Sequence, residues 1–391
     1  KNQMERNVVI IQQQLGLGDV IFGVKLARWM KKYDKNILLL NLILAGDDET
    51  FEMKEEKSRM IFKTLNFETK IIKWNTNTSN NLHVYNWFQQ QRLKKVFMGP
   101  KETTIPISMK KWFPSLSIVC LTEYTCRDEQ IAKQLNDNKL DIIYTGLGNY
   151  KNHQCSGIFI ENYERIHPHT IETIQKQNEI QYLTIQLGDL MKRDKEGTMN
   201  FGILLELIQK AIQKYDCFCM YYWRGAPTTK QKYQEFELCQ KVSQQYIKYK
   251  GYKNPCMIIL GTGCAESCTM PYIHLKGINF DNLETVFKLL QDTNKGIYGC
   301  TGDQSLSDAI SAGFLPLYYI ELHKLDLAIE LGQLVCSKDS IALSTMIGCT
   351  SNRILSMDER LQAASKPFNV NQYVDSVNKL KNYSLYQSIK S

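Results

Sequence analysis

The sequence predicts an α/β protein with two successive doubly wound domains, each a parallel sheet covered by helices on both faces. Strand-like and helix-like segments alternate almost throughout the chain, which is the pattern of such layers. The alternation restarts after a polar stretch near the middle of the chain. In addition, 391 residues exceed what one hydrophobic core usually organises, so two domains are expected.

The N-terminal half supplies the elements of the first domain, which we expect to cover residues 1–175. Runs rich in Val, Ile and Leu indicate strands at residues 8–13, 37–44, 70–74, 117–121 and 141–145. Apolar residues at helical spacing indicate helices at residues 19–33, 51–65, 81–95 and 169–177.

The C-terminal half repeats this pattern, and we expect a second domain at residues 176–365. Strands are predicted at residues 181–186, 216–223, 256–260, 296–300 and 315–320, and helices at residues 201–214, 230–250, 282–291 and 305–311. A last helix, at residues 370–388, falls in a C-terminal segment that covers residues 366–391.

The composition is that of an ordinary globular protein, with 43% hydrophobic and 23% charged residues, and no apolar run could span a bilayer. The net charge of +8 is spread in short lysine pairs that alternate with acids, which indicates solvated faces rather than a nucleic-acid surface. The first residues lack the apolar core of a signal peptide. We therefore expect a cytoplasmic protein.

Twelve cysteines lie mostly inside apolar runs, as Cys120, Cys217 and Cys219 do. Such positions are typical of buried thiols in a reducing compartment. A zinc site of this kind needs two CxxC pairs, whereas the pairs Cys217-x-Cys219 and Cys264-x-x-x-Cys268 have no matching partners. No metal site is therefore expected. The adjacent acids Asp47 and Asp48 are interpreted as the cap of a loop.

The first candidate loop joins the first strand to the first helix and contains Gly16, Leu17, Gly18 and Asp19. Glycines let a backbone turn tightly and approach a ligand, and the following helix start offers free N–H groups. The loop is not a dinucleotide fingerprint, because Ile21 stands where a small residue is required. Two roles stay open for Asp19: an N-cap of the helix, or a carboxylate that faces a neutral substrate and acts as general base.

The second candidate loop has the same strand–turn–helix arrangement and contains Thr301, Gly302, Asp303, Gln304 and Ser305. Hydroxyls and amides are dense at this helix start, where free N–H groups and the helix dipole favour a pyrophosphate. The Walker A pattern is absent, because no Lys-Ser or Lys-Thr pair follows the glycines. Taken alone, the loop is more simply a capped helix.

Other turns end strands of the same half. Gly261, Thr262 and Gly263 follow one strand and Arg224 follows another, so several turns would gather at the edge where open α/β sheets bind ligands. Arg224 is interpreted either as a bidentate partner of a diphosphate or as a surface arginine. Glu321, after the last strand, is either an acceptor for a ribose diol or a first-turn helix acid.

Two motifs resemble those of GT-B glycosyltransferases. Residues 18–28 are spaced like the opening of the bacterial protein-arginine rhamnosyltransferases and, more loosely, of the heptosyltransferases. Residues 301–316 resemble the donor-diphosphate motif of these families. Thr301 stands where the rhamnosyltransferases have arginine, and Asp303 where they have glutamate, which leaves the sugar and the nucleotide open.

The resemblance implies two Rossmann-like domains that face a cleft, with the acceptor on the N-terminal domain and the nucleotide-sugar on the C-terminal one. It also implies a C-terminal helix that crosses back to the first domain. Asp19 would be the base of an inverting reaction, and Asp303, Gln304 and Ser305 would hold the diphosphate and nearby hydroxyls. Backbone amides and the helix dipole replace a metal in these families, so no cofactor is expected beside the nucleotide-sugar.

The function implied is a metal-independent glycosyltransferase of the hexosyl or deoxyhexosyl class, with an unidentified acceptor for which a protein is one candidate. Two other functions stay open: a nucleotide-sugar epimerase-like enzyme of the same fold, and a non-catalytic nucleotide-binding module. Frequent Lys, Asn, Gln and Ile suggest an AT-rich genome, so a bacterial effector secreted into a host cytosol is a further candidate.

Overall fold

The computed structural model forms two compact units, one of Lys1–Phe159 with Ser384–Ser391 and one of Ile160–Tyr383. It describes residues 5–14, 17–63, 65–77, 81–99, 103–122, 129–147, 149–150, 153–163, 201–223, 229–261, 265–275, 280–300, 302–320, 325–336, 343–349, 353–366 and 370–390. The predicted helix at residues 169–177, the predicted strand at residues 181–186 and the predicted boundary at residues 175/176 lie outside these ranges.

The first unit contains a parallel sheet whose described strands have the order β3-β2-β1-β4-β5-β6. The strands are β1 (Arg6–Gln13), β2 (Leu38–Ala45), β3 (Glu68–Asn75), β4 (Leu93–Met98), β5 (Ser117–Leu121) and β6 (Asp141–Ile143). Every residue of β2 is buried, as expected for a strand of a parallel sheet with both faces covered. A short antiparallel pair, β7 (Asn149–Tyr150) and β8 (His153–Gln154), follows.

The helices of the first unit connect these strands. They are α1 (Gly18–Lys31), α2 (Asp48–Phe62), α3 (Leu82–Gln89), α4 (Thr104–Trp112) and α5 (Glu129–Asp137). Helix α1 packs tightly on β1, because a Cβ at Gly23 would lie only 2.2 Å from Cγ1 of Ile11. The helix predicted at residues 81–95 was too long: the chain turns after Gln89, and residues 93–95 belong to β4.

The second unit contains a parallel sheet with the described strand order β11-β10-β9-β12-β13. The strands are β9 (Cys217–Trp223), β10 (Pro255–Gly261), β11 (Tyr272–Leu275), β12 (Lys295–Cys300) and β13 (Leu315–Tyr318). Its helices are α6 (Phe201–Lys214), α7 (Lys230–Lys250), α8 (Phe280–Leu289), α9 (Asp303–Ala312), α10 (Leu325–Cys336), α11 (Met357–Ala363) and α12 (Val370–Leu380). The two sheets confirm the predicted pair of doubly wound α/β domains.

The C-terminal segment contains two helices rather than the single one predicted at residues 370–388. Helix α12 belongs to the second unit, where the hydroxyl of Tyr373 donates a hydrogen bond of 2.6 Å to the carbonyl of Pro316. The chain then turns, and α13 (Leu385–Lys390) belongs to the first unit. There the N–H of Leu385 donates to the carbonyl of Ile158 over 2.8 Å. The predicted return of the chain to the first domain is therefore confirmed, although only the last short helix makes it.

Candidate functional site

Both sheets have a topological switch point, where the strand order reverses direction. It lies between β1 and β4 in the first unit and between β9 and β12 in the second. Ligands of open α/β sheets bind outside the carboxyl ends of the strands at such points. The two candidate loops follow β1 and β12, so the fold places each of them at the switch point of its own sheet.

The loop after β1 places Asp19 in the first turn of α1. The N-cap is Leu17, which makes no side-chain cap hydrogen bond, so the N-cap role left open for Asp19 is wrong. Instead, a carboxylate oxygen of Asp19 lies 3.5 Å from the backbone nitrogen of Gln14, whose N–H points back across the turn. Asp19 is half-buried and Gly18 is exposed, whereas the predicted loop residue Gly16 lies outside the described residues.

A buried polar network supports the end of β1, and no pattern in the sequence predicted it. The side-chain oxygen of Gln13 accepts hydrogen bonds from the Asn41 amide over 2.7 Å and from the Ser58 hydroxyl over 2.9 Å. All three side chains are almost fully buried. Buried polar groups are costly unless hydrogen-bonded, so this network fixes the orientation of Gln13 at the carboxyl end of the strand.

The loop after β12 begins α9 with Gly302 as N-cap, in an extended conformation with φ −154° and ψ 167°. A glycine has no side chain to accept from the first-turn amides, and no other side-chain cap is present among the described residues. The hydroxyl of Ser305 lies 3.1 Å from the backbone nitrogen of Gly302 and 2.8 Å from its carbonyl oxygen, which closes the turn. This helix start therefore presents N–H groups that an anion could accept from.

The side chains of the first turn of α9 are held individually. The hydroxyl of Tyr318, at the end of β13, donates to a carboxylate oxygen of Asp303 over 3.1 Å. The side-chain oxygen of Gln304 is buried and has no hydrogen-bond partner among the described residues. A buried carbonyl oxygen of this kind is an acceptor that a hydroxyl or N–H group of a ligand can satisfy. Thr301 lies outside the described residues.

Two glycines near the carboxyl ends of these strands have packing roles. A Cβ at Gly299, which lies inside β12, would come 2.6 Å from a ring carbon of Tyr221 and 3.1 Å from the sulfur of Cys239. Gly261 ends β10 with a φ of +93°, and a Cβ there would lie 2.3 Å from the carbonyl oxygen of Trp223. Both positions need glycine because of neighbouring protein atoms.

Four other predicted donor residues cannot be placed: Arg224, Thr262, Gly263 and Glu321 lie outside the described residues. For these positions the sequence-based assignments stay predictions.

A buried arginine of the second unit was missed by the sequence analysis. Arg360 of α11 is almost fully buried, and its guanidinium donates to the carbonyls of Thr345 over 3.0 Å and Met346 over 3.3 Å. Its central carbon lies 5.2 Å from the ring centroid of Tyr319, directly after β13. Burial lowers the pKa of the guanidinium. The sequence around Arg360 is rich in charge, so nothing distinguishes it from a surface residue.

Metal ligands were not expected, and no group of three or more His, Cys, Asp or Glu side chains in the described parts could hold a metal ion. Asp47 is the N-cap of α2 and accepts from the N–H of Thr50 over 2.6 Å, whereas Asp48 is the first residue of that helix, so Asp47 caps a helix rather than a loop. Burial raises the pKa of the Cys120 thiol to about 12. Over the described residues, no helix is long and apolar enough to cross a membrane.

Comparison with known proteins identifies the fold. No protein-family model and no curated protein sequence matches the chain. The crystal structure of Acinetobacter baumannii MurG is similar over 99% of this chain and 98% of that chain, with 9% identity and a TM-score of 0.51. The S. aureus MnaA–UDP co-structure matches over 99% and 95%, with 8% identity and a TM-score of 0.49. Glycosyltransferase VinC in complex with dTDP matches over 98% of both chains, with 9% identity and a TM-score of 0.46.

The likeness to MurG shows the fold of the chain: two Rossmann-like domains of the GT-B type, as the two sequence motifs predicted. The narrower likeness to rhamnosyltransferases and heptosyltransferases stays a prediction.

Proposed function

We propose that the protein is a glycosyltransferase that moves a sugar from a nucleoside-diphosphate donor to an acceptor. The observation that carries the proposal is the start of α9, at the switch point of the second sheet. Its N-cap is Gly302, which provides no oxygen for the first-turn amides. Glycine is itself a common N-cap residue, but unlike Ser, Thr, Asn or Asp it has no side-chain oxygen that would accept from these amides, so a phosphate can bind them.

The side chains around this helix start suit the non-phosphate parts of a donor. Asp303 would repel a phosphate, so we assign its carboxylate to a hydroxyl of the ribose or of the sugar. Tyr318 already donates to one of its oxygens and holds the carboxylate in place. The unsatisfied oxygen of Gln304 is assigned to a second hydroxyl or to an N–H group of the donor.

On the acceptor side, we assign the role of general base to Asp19. The base removes the proton of the acceptor while the acceptor attacks the anomeric carbon, and the bond from that carbon to the phosphate oxygen breaks. The nucleoside diphosphate leaves with the bonding electrons, and the N–H groups of α9 stabilise its charge. The transfer inverts the anomeric centre and needs no metal, so EDTA should leave the rate unchanged.

Isothermal titration with UDP, GDP and dTDP and their hexose and deoxyhexose derivatives tests the donor class. We expect one base to be bound clearly more tightly than the other two. No binding by any member of the panel would overturn the proposal. Conversion of a bound nucleotide-sugar without any acceptor would instead favour an epimerase-like reaction, and binding without turnover in the presence of candidate acceptors a non-catalytic module.

The acceptor and the place of action are also part of the proposal. We assign a protein acceptor and either a cytoplasmic or a host-cytosolic setting, following the likeness to the protein-arginine rhamnosyltransferases. Mass spectrometry of proteins incubated with enzyme and the donor found by titration tests this assignment. A glycosylated small molecule in place of a glycosylated protein would contradict it.

A further inference from the structure

Tyr222 is an exposed side chain in an otherwise buried central strand. Strand β9 lies in the middle of the second sheet, and six of its seven residues are buried. Tyr222 alone is 37% exposed, whereas Tyr221 and Trp223 on either side of it are at most 1% exposed. Central strands of parallel sheets are normally covered on both faces, so the exposure of this ring needs an explanation.

The position of Tyr222 places it beside the proposed donor loop. It is the next-to-last residue of β9, at the carboxyl end of the strand and at the switch point. Strand β12 pairs with β9 so that Gly299 lies beside Tyr221, and the next residues along the two strands are Cys300 and Tyr222. Gly302 follows two residues after Cys300, so Tyr222 and the N-cap of α9 lie at the same carboxyl end of neighbouring strands.

The ring also lies on the face of the sheet that carries α9. Side chains alternate along a strand, so Tyr222 shares its face with Met220, which pairs with Tyr298 of β12. The Tyr298 ring packs on Phe314, directly after α9, with centroids 5.8 Å apart. Burial raises the pKa of Tyr298, and the charges of Asp308 in α9 and of Tyr222 add to this rise, which indicates that they are neighbours.

We propose that the ring of Tyr222 is the stacking surface for the nucleobase of the donor. The inference rests on the proposed function, in which the start of α9 binds the diphosphate. A ribose separates base and diphosphate, so a base beside the diphosphate needs a neighbouring position at the same end of the sheet, which is where Tyr222 lies. Stacking on an aromatic side chain tolerates every base, because each has a π face. Tyr222 therefore sets the affinity for nucleotides, and other residues choose between the bases.

Titration of four proteins tests the inference: the wild type, Tyr222→Ala, Tyr222→Phe and Tyr249→Ala. The probes are UDP, GDP, dTDP and inorganic pyrophosphate, which has the phosphates but no base. Tyr249 is a matched control, because it is 52% exposed and lies at the other end of α7, away from the carboxyl ends of the strands. Both alanine variants should stay folded, since the tyrosines they replace are exposed, and circular dichroism checks this.

We expect Tyr222→Ala to weaken the binding of the preferred nucleotide by about 5- to 100-fold, the range that one base stack supports. Tyr222→Phe and Tyr249→Ala should bind it as the wild type does, and pyrophosphate should bind equally to all four proteins. Equal nucleotide binding by Tyr222→Ala and Tyr249→Ala would overturn the stacking role and leave the proposed function intact. An equal loss for pyrophosphate and nucleotide would overturn it as well. If the wild type binds no nucleotide, the proposed function fails, and the stacking role fails with it.

Discussion

The two helix starts at the switch points share a frame and differ in the groups they present. Helix α1 follows the first strand of its sheet along the chain, and helix α9 follows the fourth strand of its own. In the described structure, neither N-cap residue makes a side-chain cap hydrogen bond. At α1, the carboxylate of Asp19 turns back toward the N–H of Gln14. At α9, Ser305 closes the turn on Gly302 and Tyr318 holds Asp303. In the proposed function, the start of α1 supplies the carboxylate and the start of α9 supplies the backbone amides.

The buried contacts of the strands that precede the two loops also differ. Behind α1, the end of β1 is held by the buried hydrogen bonds among Gln13, Asn41 and Ser58. In β12, the strand before α9, glycines leave room for aromatic rings and thiols, as Gly299 does for the ring of Tyr221. The same strand–turn–helix arrangement therefore presents different side chains in the two units.

Removal of the carboxylate is expected to have the largest effect. Asp19→Asn should slow sugar transfer by about 10²- to 10⁴-fold, the usual contribution of a general base, and should leave the Kd for the nucleotide unchanged. The release of nucleoside diphosphate in the presence of acceptor, together with titration calorimetry, measures both quantities.

A matched control for this variant is Asp48→Asn. Asp48 is also an acid in the first turn of a helix of the first unit, but it is exposed and pairs with Lys73. It should keep full activity. Full activity of Asp19→Asn, or an equal loss of activity in both variants, would contradict the role of Asp19 as the general base.

A carboxylate at the N-cap of α9 should weaken the binding of the nucleotide at this helix start. Gly302→Asp can cap the first-turn amides and repels phosphate, so the nucleotide should bind about 10- to 100-fold more weakly, which corresponds to one or more lost charge-assisted hydrogen bonds. The stability of the fold should not fall, because Asp is a better N-cap than glycine. Calorimetry and urea unfolding of the same sample measure the two effects.

Gly302→Ala provides the control for size alone. A Cβ at this position has no atom within 4 Å in the described structure, and the extended backbone suits any residue. We expect nearly unchanged nucleotide binding. A tenfold loss in this variant would show that backbone shape, rather than the free amides, determines binding.

The packing role of Gly299 gives a prediction of intermediate size. Gly299→Ala should lower the free energy of unfolding by about 1–3 kcal/mol, because the added methyl group overlaps the ring of Tyr221 and must displace it. Gly18→Ala is the comparison in the first unit, since nothing lies within 4 Å of its Cβ position in the described structure, and it should unfold at the urea concentration of the wild type or above it. Equal stability of the two variants would contradict the packing account.

The smallest predicted effect concerns the opposite, amino end of β12. Burial lowers the pKa of Lys295 from 10.5 to about 8, and the charge of Lys381 adds to this. Between these two pKa values the unfolded chain binds more protons than the folded one, so this lysine makes stability rise with pH from about 8 to about 10.5. Below pH 8 its destabilising effect is complete.

The cysteines and tyrosines of the unfolded chain titrate in the same range, so the pH effect of Lys295 has to be measured as a difference. The urea midpoints of the wild type and Lys295→Met should differ by an amount that changes steadily from pH 8 to pH 9.5. Lys250→Met, which removes an exposed lysine, should run parallel to the wild type. Parallel curves for Lys295→Met would contradict the lowered pKa. Nucleotide binding should be unaffected in either variant.

The sequence predicted the frame of the protein better than its sites. Apolar runs identified most of the described parallel strands, because a buried parallel strand needs a continuous apolar segment, but β4 and β11 were not predicted. The helix predicted at residues 81–95 was too long, because Leu93 and the residues after it continue an apolar pattern that fits a helix and a strand equally well. Gly261 was interpreted from its place after a strand, whereas Gly299 is required by the ring of Tyr221, which is distant in sequence.

The polar interior could not be predicted at all. Asn41 lies in the middle of an apolar strand, and Ser58 lies in a helix full of charged residues. Only the fold brings them to Gln13. Arg360 is likewise recognisable as buried only once α11 is packed against the residues after β13. Local patterns report which element a residue belongs to, whereas these contacts depend on which elements are neighbours.

A crystal structure with the preferred nucleoside diphosphate bound shows which of the two helix starts receives the phosphates. We expect phosphate oxygens about 3 Å from the backbone nitrogens of the first turn of α9, a spacing typical of hydrogen bonds to an anion. A diphosphate bound instead at the turn before α1, beside Asp19, would contradict the assignment of the carboxylate site and the amide site.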